Sequence, residues 1–310
     1  MKHPRKARYT LVKGEYWIHN PQDPRRGPQP DGDTVTFKPE SVELLQRLPR
    51  FSGRAPAIHG GRINVRYEGI DTLETHFGNG PRHQNLRFAQ AARGHNLDAL
   101  GFTGVSFYPD QPNVVQAVDV NPLPGYVLAN GIESNGRLLG LVYTGTAPWP
   151  DGTPVFVDEQ MLERSVNTEL VRAGLAYVEP YDTMPMALVR RLRAVVHQVR
   201  NDHHGMWPEE GVSTSQGAEI RSLDELQALV MWPKLFRRLV TYFEEGHDGL
   251  AQFDVWIRQD RVQRDDTLRL PDGEKGNMHD TYEVDGDTLR LRFAPEDLLV
   301  TPDPKPASAL

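Results

Sequence analysis

Three short segments of this chain carry carboxylates and guanidiniums at spacings suited to phosphate chemistry. They are Asp31-Gly32-Asp33-Thr34, Arg66-Tyr67-Glu68-Gly69-Ile70-Asp71-Thr72-Leu73-Glu74, and Asn135-Gly136-Arg137. Asp33 and Asp71, on adjacent strand ends, can ligate one hard divalent cation, with a backbone carbonyl beside Asp71 and waters completing the oxygen shell. Such a cation polarises a phosphoryl oxygen. Arg66 and Arg137 bring the planar fork that binds phosphate oxygens in pairs. Glu74, three residues after Asp71, can orient or deprotonate a water. Together these groups describe hydrolysis at phosphorus without a histidine or a covalent intermediate. Cysteine is absent, which excludes disulfides, thiolate metal sites and a cysteine nucleophile.

Each segment alone has a plainer reading. Residues 31–34 are a turn entering a strand, residues 66–75 a solvated strand exit with a surface ion pair, and residues 135–137 a hairpin. Their combination favours chemistry. His203-His204 is different: neighbouring residues on a helix point in different directions, so the pair reads as a polar helix end and not as joint metal ligands.

The elements that must position these groups follow from composition and periodicity. Residues 9–12, 34–37, 63–67 and 138–143 read as strands. Residues 85–100 place Leu86, Ala89, Arg93, Leu97 and Leu100 at helical spacing. A second helix is expected from near Asp158 to Gly174, and a third carries Leu188, Leu192, Val195 and Val199 on one face. A short helix is expected over 41–48. The mixture suggests a small barrel with helical additions, not a parallel sheet.

In this order the segments resemble the staphylococcal nuclease (thermonuclease) family. The resemblance is carried by Asp31-Gly32-Asp33-Thr34, by the arginine strand leading into Asp71-Thr72-Leu73-Glu74-Thr75, and by Gly136-Arg137 before an apolar strand. It continues in Val166-Asn167-Thr168-Glu169-Leu170-Val171-Arg172-Ala173-Gly174-Leu175-Ala176 and closes with Gly205-Met206-Trp207, spanning about residues 9–210. It implies an α+β fold built on an OB-fold five-stranded β-barrel with about three helices. It also implies calcium as cofactor and endonucleolytic cleavage of DNA or RNA that leaves 5′-hydroxyl and 3′-phosphate ends. Carried over by position, Asp33 and Asp71 are metal ligands and Thr72 donates its carbonyl. Glu74 is the general base or water-positioning group, Arg66 and Arg137 are the phosphate and transition-state clamps, and Tyr181 is an aromatic substrate contact. Leu73 departs from the family's proline, and Ser134-Asn135 stand where Lys-Tyr is common. Residues 38–61 and 144–154 are longer than the family type, so substrate preference is expected to differ.

The net charge is −7, and all of it lies in the last hundred residues: residues 1–210 hold 23 basic and 23 acidic side chains, residues 211–310 hold 12 and 19. An acidic total argues against a broad basic binding face, but not against an enzyme that meets one phosphate in a cleft. Residues 211–217 read as a linker, and 218–310 as a small C-terminal α+β module. In that module Ser222 and Glu225 form a capping box, and Leu235, Leu239, Val240 and Phe243 form the stripe of a helix packed in its own domain. A chain ending near Val212 is therefore expected to fold and act alone. Residues 1–8 are charged like the start of a signal peptide, but no apolar stretch follows, so the chain is expected to be cytoplasmic, or secreted if a leader has been removed. No apolar run reaches bilayer length, and no protein partner is evident. Two rivals remain: an inactive binding module of the same fold, which has no use for Glu74, and a phosphatase or nucleotidase acting on small substrates.

Overall fold

The computed structural model describes residues 8–78, 80–260 and 264–302; the charged start, residues 1–7, lies outside them. Strand β1 (Tyr9–Trp17) buries Tyr9, Leu11 and Tyr16 completely and pairs with β2 (Thr34–Pro39). After α1 (Val42–Gln46) come β3 (Ile63–Tyr67), β4 (Gly69–Thr72) and α2 (Leu86–Leu100). A hairpin, β5 (Ser106–Tyr108) and β6 (Gln111–Ala117), leads to β7 (Leu123–Ile132), β8 (Leu138–Thr144) and β9 (Pro154–Val155). The order β2-β3-β8-β7-β1, closed by the β1–β2 pairing, is a five-stranded barrel, with β9 added beside β1. Only β3–β8 is parallel among the barrel pairs. This is the barrel topology expected of an OB-fold.

β7 escapes the composition rule. Pro124, Gly125, Asn130 and Gly131 break its apolar run, and a register shift between Ala129 and Gly131 bends it against β8. Bulged, glycine-containing strands of this kind turn a barrel's corners.

The single helix expected over 158–174 is in fact two, α3 (Glu159–Glu163) and α4 (Val166–Arg172). Ser165 turns out of the helix, and its buried side chain accepts the Thr168 amide and starts a new one. The next residues explain the Val166-Asn167 motif. The Asn167 amide donates to Glu68 O (2.9 Å) and Gly140 O (3.2 Å) and accepts from Val142 N (2.9 Å), sewing α4 onto the parallel seam between β3 and β8. β10 (Ala176–Glu179) then pairs with β4, and α5 (Met186–Asn201) follows. Gly174 and Gly205 both have φ +67°, and a Cβ on Gly205 would lie 2.3 Å from Gly174 O. That backbone contact, fixed by Met206 N donating to Gly174 O at 3.0 Å, requires both glycines.

The C-terminal part has the expected mixed composition: β11 (Ala218–Glu219), α6 (Leu223–Ala228), α7 (Pro233–Glu244), α8 (Phe253–Arg258), β12 (Thr267–Arg269), β13 (Lys275–Asn277), β14 (Tyr282–Asp285), β15 (Thr288–Leu291) and β16 (Leu299–Val300). It forms two three-stranded sheets, β11-β15-β14 and β13-β12-β16. Ser222 accepts the Glu225 amide as expected, but the Glu225 carboxylate takes the amide of Arg221, one residue before the box position.

Within the linker expected at 211–217, Thr214, Ser215 and Gln216 are exposed, but its start is packed. Val212 is fully buried, and Leu291 N donates to its carbonyl at 2.8 Å. Val300 N donates to Pro180 O and Asp182 N to Val300 O, both at 2.9 Å, so β16 runs along the end of β10. Leu235, Leu239 and Val240 belong to one hydrophobic core continuous with the barrel and its helices, not to a private one, with Phe243 partly buried against it. Among the described residues no helix is long and apolar enough to cross a membrane.

Candidate active site

Asp31-Gly32-Asp33 is the turn into β2, pressed against β4. A Cβ on Gly32 would lie 2.5 Å from Thr72 Oγ1 and 2.9 Å from the Ala92 side chain, so only glycine admits the approach. It brings Asp33 Oδ2 to the Thr72 amide at 2.9 Å, while Asp33 Oδ1 accepts from Thr34 Oγ1 at 3.1 Å. Arg66, buried at the end of β3, bridges the two aspartates: Nη1 pairs with Asp33 Oδ2, and Nη2 donates to Asp71 Oδ1 at 2.6 Å. Gly32→Ala is expected to cost about 1–3 kcal/mol of stability by overpacking and to lower kcat/KM by about tenfold or more, as Asp33 is pushed off Thr72. Thermal melting and steady-state kinetics measure both, and unchanged kinetics would show that Asp33 need not be held there.

Glu74 is held by its backbone. Its amide donates to Gln84 Oε1 (3.2 Å), its carbonyl accepts from Gln84 N (2.9 Å), and the fully buried Gln84 side chain donates to Met231 O at 2.8 Å. Its carboxylate accepts from Arg237 Nη1. The same guanidinium forks onto Asp71, with Nη2 at 2.9 Å from Oδ2 and Nη1 at 3.3 Å from Oδ1. Arg237 sits on α7 and was missed in the sequence, where the helix is read for its apolar stripe. The pair Arg237-Arg238 inside an acidic segment is a signal of charge, but nothing local ties it to a glutamate 163 residues earlier.

Arg137 follows the β7–β8 turn and is braced by buried Glu133, which accepts from Arg137 Nε at 3.2 Å and from its backbone N at 3.0 Å. Asp33, Arg66, Asp71, Thr72, Glu74, Arg137 and Tyr181 all line one cavity of about 760 Å³. The structure thus brings every expected site residue to one cleft, and adds Asp31, Lys234 and Arg237 to it. His203 and His204 lie away from it, in the turn after α5, where His203 has φ 51°.

Residues 64–209 match the family described as staphylococcal nuclease homologue. That stretch is a staphylococcal nuclease homologue domain. The match begins inside β3; β1, β2 and Asp33 precede it and complete the domain's barrel. No curated protein matches the chain.

Carboxylates and guanidiniums crowd the nuclease-homologue cleft. Burial works to raise the Asp71 carboxyl, but Arg237 and then Arg66 overcome it and hold the group well below the usual carboxylate range. Burial pushes Glu74 up, with Arg237 opposing. Asp31 is pushed well up by burial, by Glu74 and by Asp33, a sign of crowded carboxylates. Calcium takes six to eight oxygen ligands, and Asp33 and Asp71 are of the right donor type. Their oxygens, however, already accept from guanidinium and amide N–H groups: Asp33 Oδ2 from Arg66 and Thr72, both Asp71 oxygens from Arg237, and Glu74 Oε1 from Arg237. Among the described residues no three His, Asp or Glu side chains converge to hold a metal ion. As arranged, these residues do not fit a calcium ion, and no step is assigned to one.

Proposed function

We propose that the cleft hydrolyses phosphodiester bonds of DNA or RNA, leaving 5′-hydroxyl and 3′-phosphate ends. The observation that carries this reading is the convergence of Arg66, Glu74 and Arg137 on a single cavity. Two guanidinium forks can hold the non-bridging oxygens of one phosphate and stabilise the charge that builds there. Glu74 takes a proton from a water whose oxygen bonds to phosphorus. The P–O5′ bond breaks, and the leaving oxygen collects a proton from solvent. Arg66, Arg137, Lys234, Arg237 and Arg238 line the cavity beside Asp31, Asp33, Asp71, Glu74, Glu133 and Asp266, so a phosphate is met there by individual N–H donors and not by a net positive field.

The test incubates the protein with supercoiled plasmid, single-stranded RNA and a mononucleotide, each with calcium, magnesium or EGTA, and maps the product ends. Cleavage of the polymers with 3′-phosphate ends is expected. Glu74→Gln should lower kcat by about 10²-fold or more with little change in substrate binding. Binding without cleavage in every condition would favour an inactive binding module. Cleavage confined to the mononucleotide would make the protein a nucleotidase.

A further inference from the structure

The acidic C-terminal segment delivers a guanidinium to the middle of the cleft. We propose that Arg237 is an active-site residue that stands in the place of a divalent cation, balancing Asp71 and Glu74 and offering its remaining N–H groups to the substrate phosphate. The inference rests on the phosphodiester reading for its chemistry, but its binding test does not.

The first ground is position. α7 is pinned at its start by Trp232 Nε1 donating to buried Glu179 (2.7 Å), by the Lys234–Glu179 ion pair (3.4 Å), and by Gln84 donating to Met231 O (2.8 Å). Its Leu235, Phe236, Leu239 and Val240 are completely buried. The backbone at Arg237 therefore cannot withdraw without opening the core. The side chain makes a bidentate contact with Asp71 and a further one with Glu74, while about a fifth of it stays exposed.

The second ground is charge. Counting only the carboxylates that Arg66 and Arg237 touch, Asp33, Asp71 and Glu74 set three negative charges against two positive ones. Calcium sites of useful affinity collect several carboxylates, because a doubly charged ion must be drawn from water. A guanidinium held by buried Asp71 and partly buried Glu74 needs no such exchange. It presents N–H donors to phosphoryl oxygens, and it costs no reorganisation when the transition state forms. The same contacts could instead describe a plug that calcium displaces. The rigid seat of α7 favours the resident cation, and the experiment separates the two.

Calorimetric titration of the full chain with calcium chloride is compared with Arg237→Ala and Arg237→Lys, alongside cleavage assays in calcium and in EGTA. The wild type is expected to show no calcium binding up to about 1 mM, the weak end of calcium sites, and to cleave equally in EGTA. Arg237→Ala should lose about 100-fold or more in kcat/KM and gain measurable calcium binding, whereas Arg237→Lys should keep part of the activity. If Arg237→Ala does not fold, Arg237→Lys, which keeps the charge but not the fork, and the wild-type titration still decide. The proposal is overturned if the wild type binds calcium with a Kd below about 1 mM. Dependence of wild-type cleavage on calcium, or an Arg237→Ala variant more active than wild type at limiting calcium, also overturns it, the latter result being that of a plug. An inactive wild type defeats the phosphodiester reading, while the titration still answers for Arg237.

Discussion

A chain ending at Val212 is expected to fail to fold as a soluble, cooperatively melting protein. Trp232, Leu235, Phe236, Leu239, Val240 and Tyr242 are all fully buried in the core that is continuous with the barrel. At about 1.5–3 kcal/mol each, these six side chains represent, at the low end, roughly 10 kcal/mol of burial, shared between the two sides of the contact. Even half of that, about 5 kcal/mol, equals the lower end of a domain's whole stability. The cut would also leave Glu179, buried at 1% exposure, without Trp232 and Lys234, and a buried charge stripped of its partners is strongly destabilising. Soluble yield, circular dichroism and thermal melting of residues 1–212 measure the effect. A soluble fragment with a sharp melt that still cleaves would show that the C-terminal part is an accessory and not a share of the fold.

Arg66→Ala is expected to be the most damaging single change in the cleft. It should lower kcat/KM by about 10³-fold or more, because a charge aimed at the transition state is removed. It should also cost about 3–5 kcal/mol of stability, as Asp33 and Asp71 lose the guanidinium that bridges them in a buried site. Arg66→Lys should recover part of the stability but little of the activity, since one ammonium cannot span both carboxylates and a phosphate. Arg137→Ala gives the contrast: its side chain is 29% exposed and, among the described residues, pairs with Glu133 alone, so activity should fall by about 10²-fold or more with only a small change in melting temperature. Single-turnover kinetics and thermal melts of the three variants separate the two effects. An Arg66→Ala enzyme with normal kcat/KM would remove Arg66 from the chemistry.

What the sequence determined by itself is what short-range physics encodes. β2, β3 and β8, with α2 and α5, were legible because each is a run of its own periodicity closed by its own turn residues. Asp33, Arg66, Asp71, Glu74 and Arg137 could be found because each sits on such a local signal: a glycine between two aspartates, a strand end, a Gly-Arg turn. The break at Ser165 was hidden, because a buried serine looks like helix until its side chain is seen accepting the Thr168 amide. β7 was hidden because the proline, glycines and bulge that bend it around the barrel erase the alternation that marks a flat strand. Only the tertiary structure decided that the acidic segment shares the barrel's core and that Arg237 reaches Asp71 across 166 residues. An amphipathic stripe says that a helix must bury a face, but not against what, and a charge on the opposite face acquires its partner only when that choice is made.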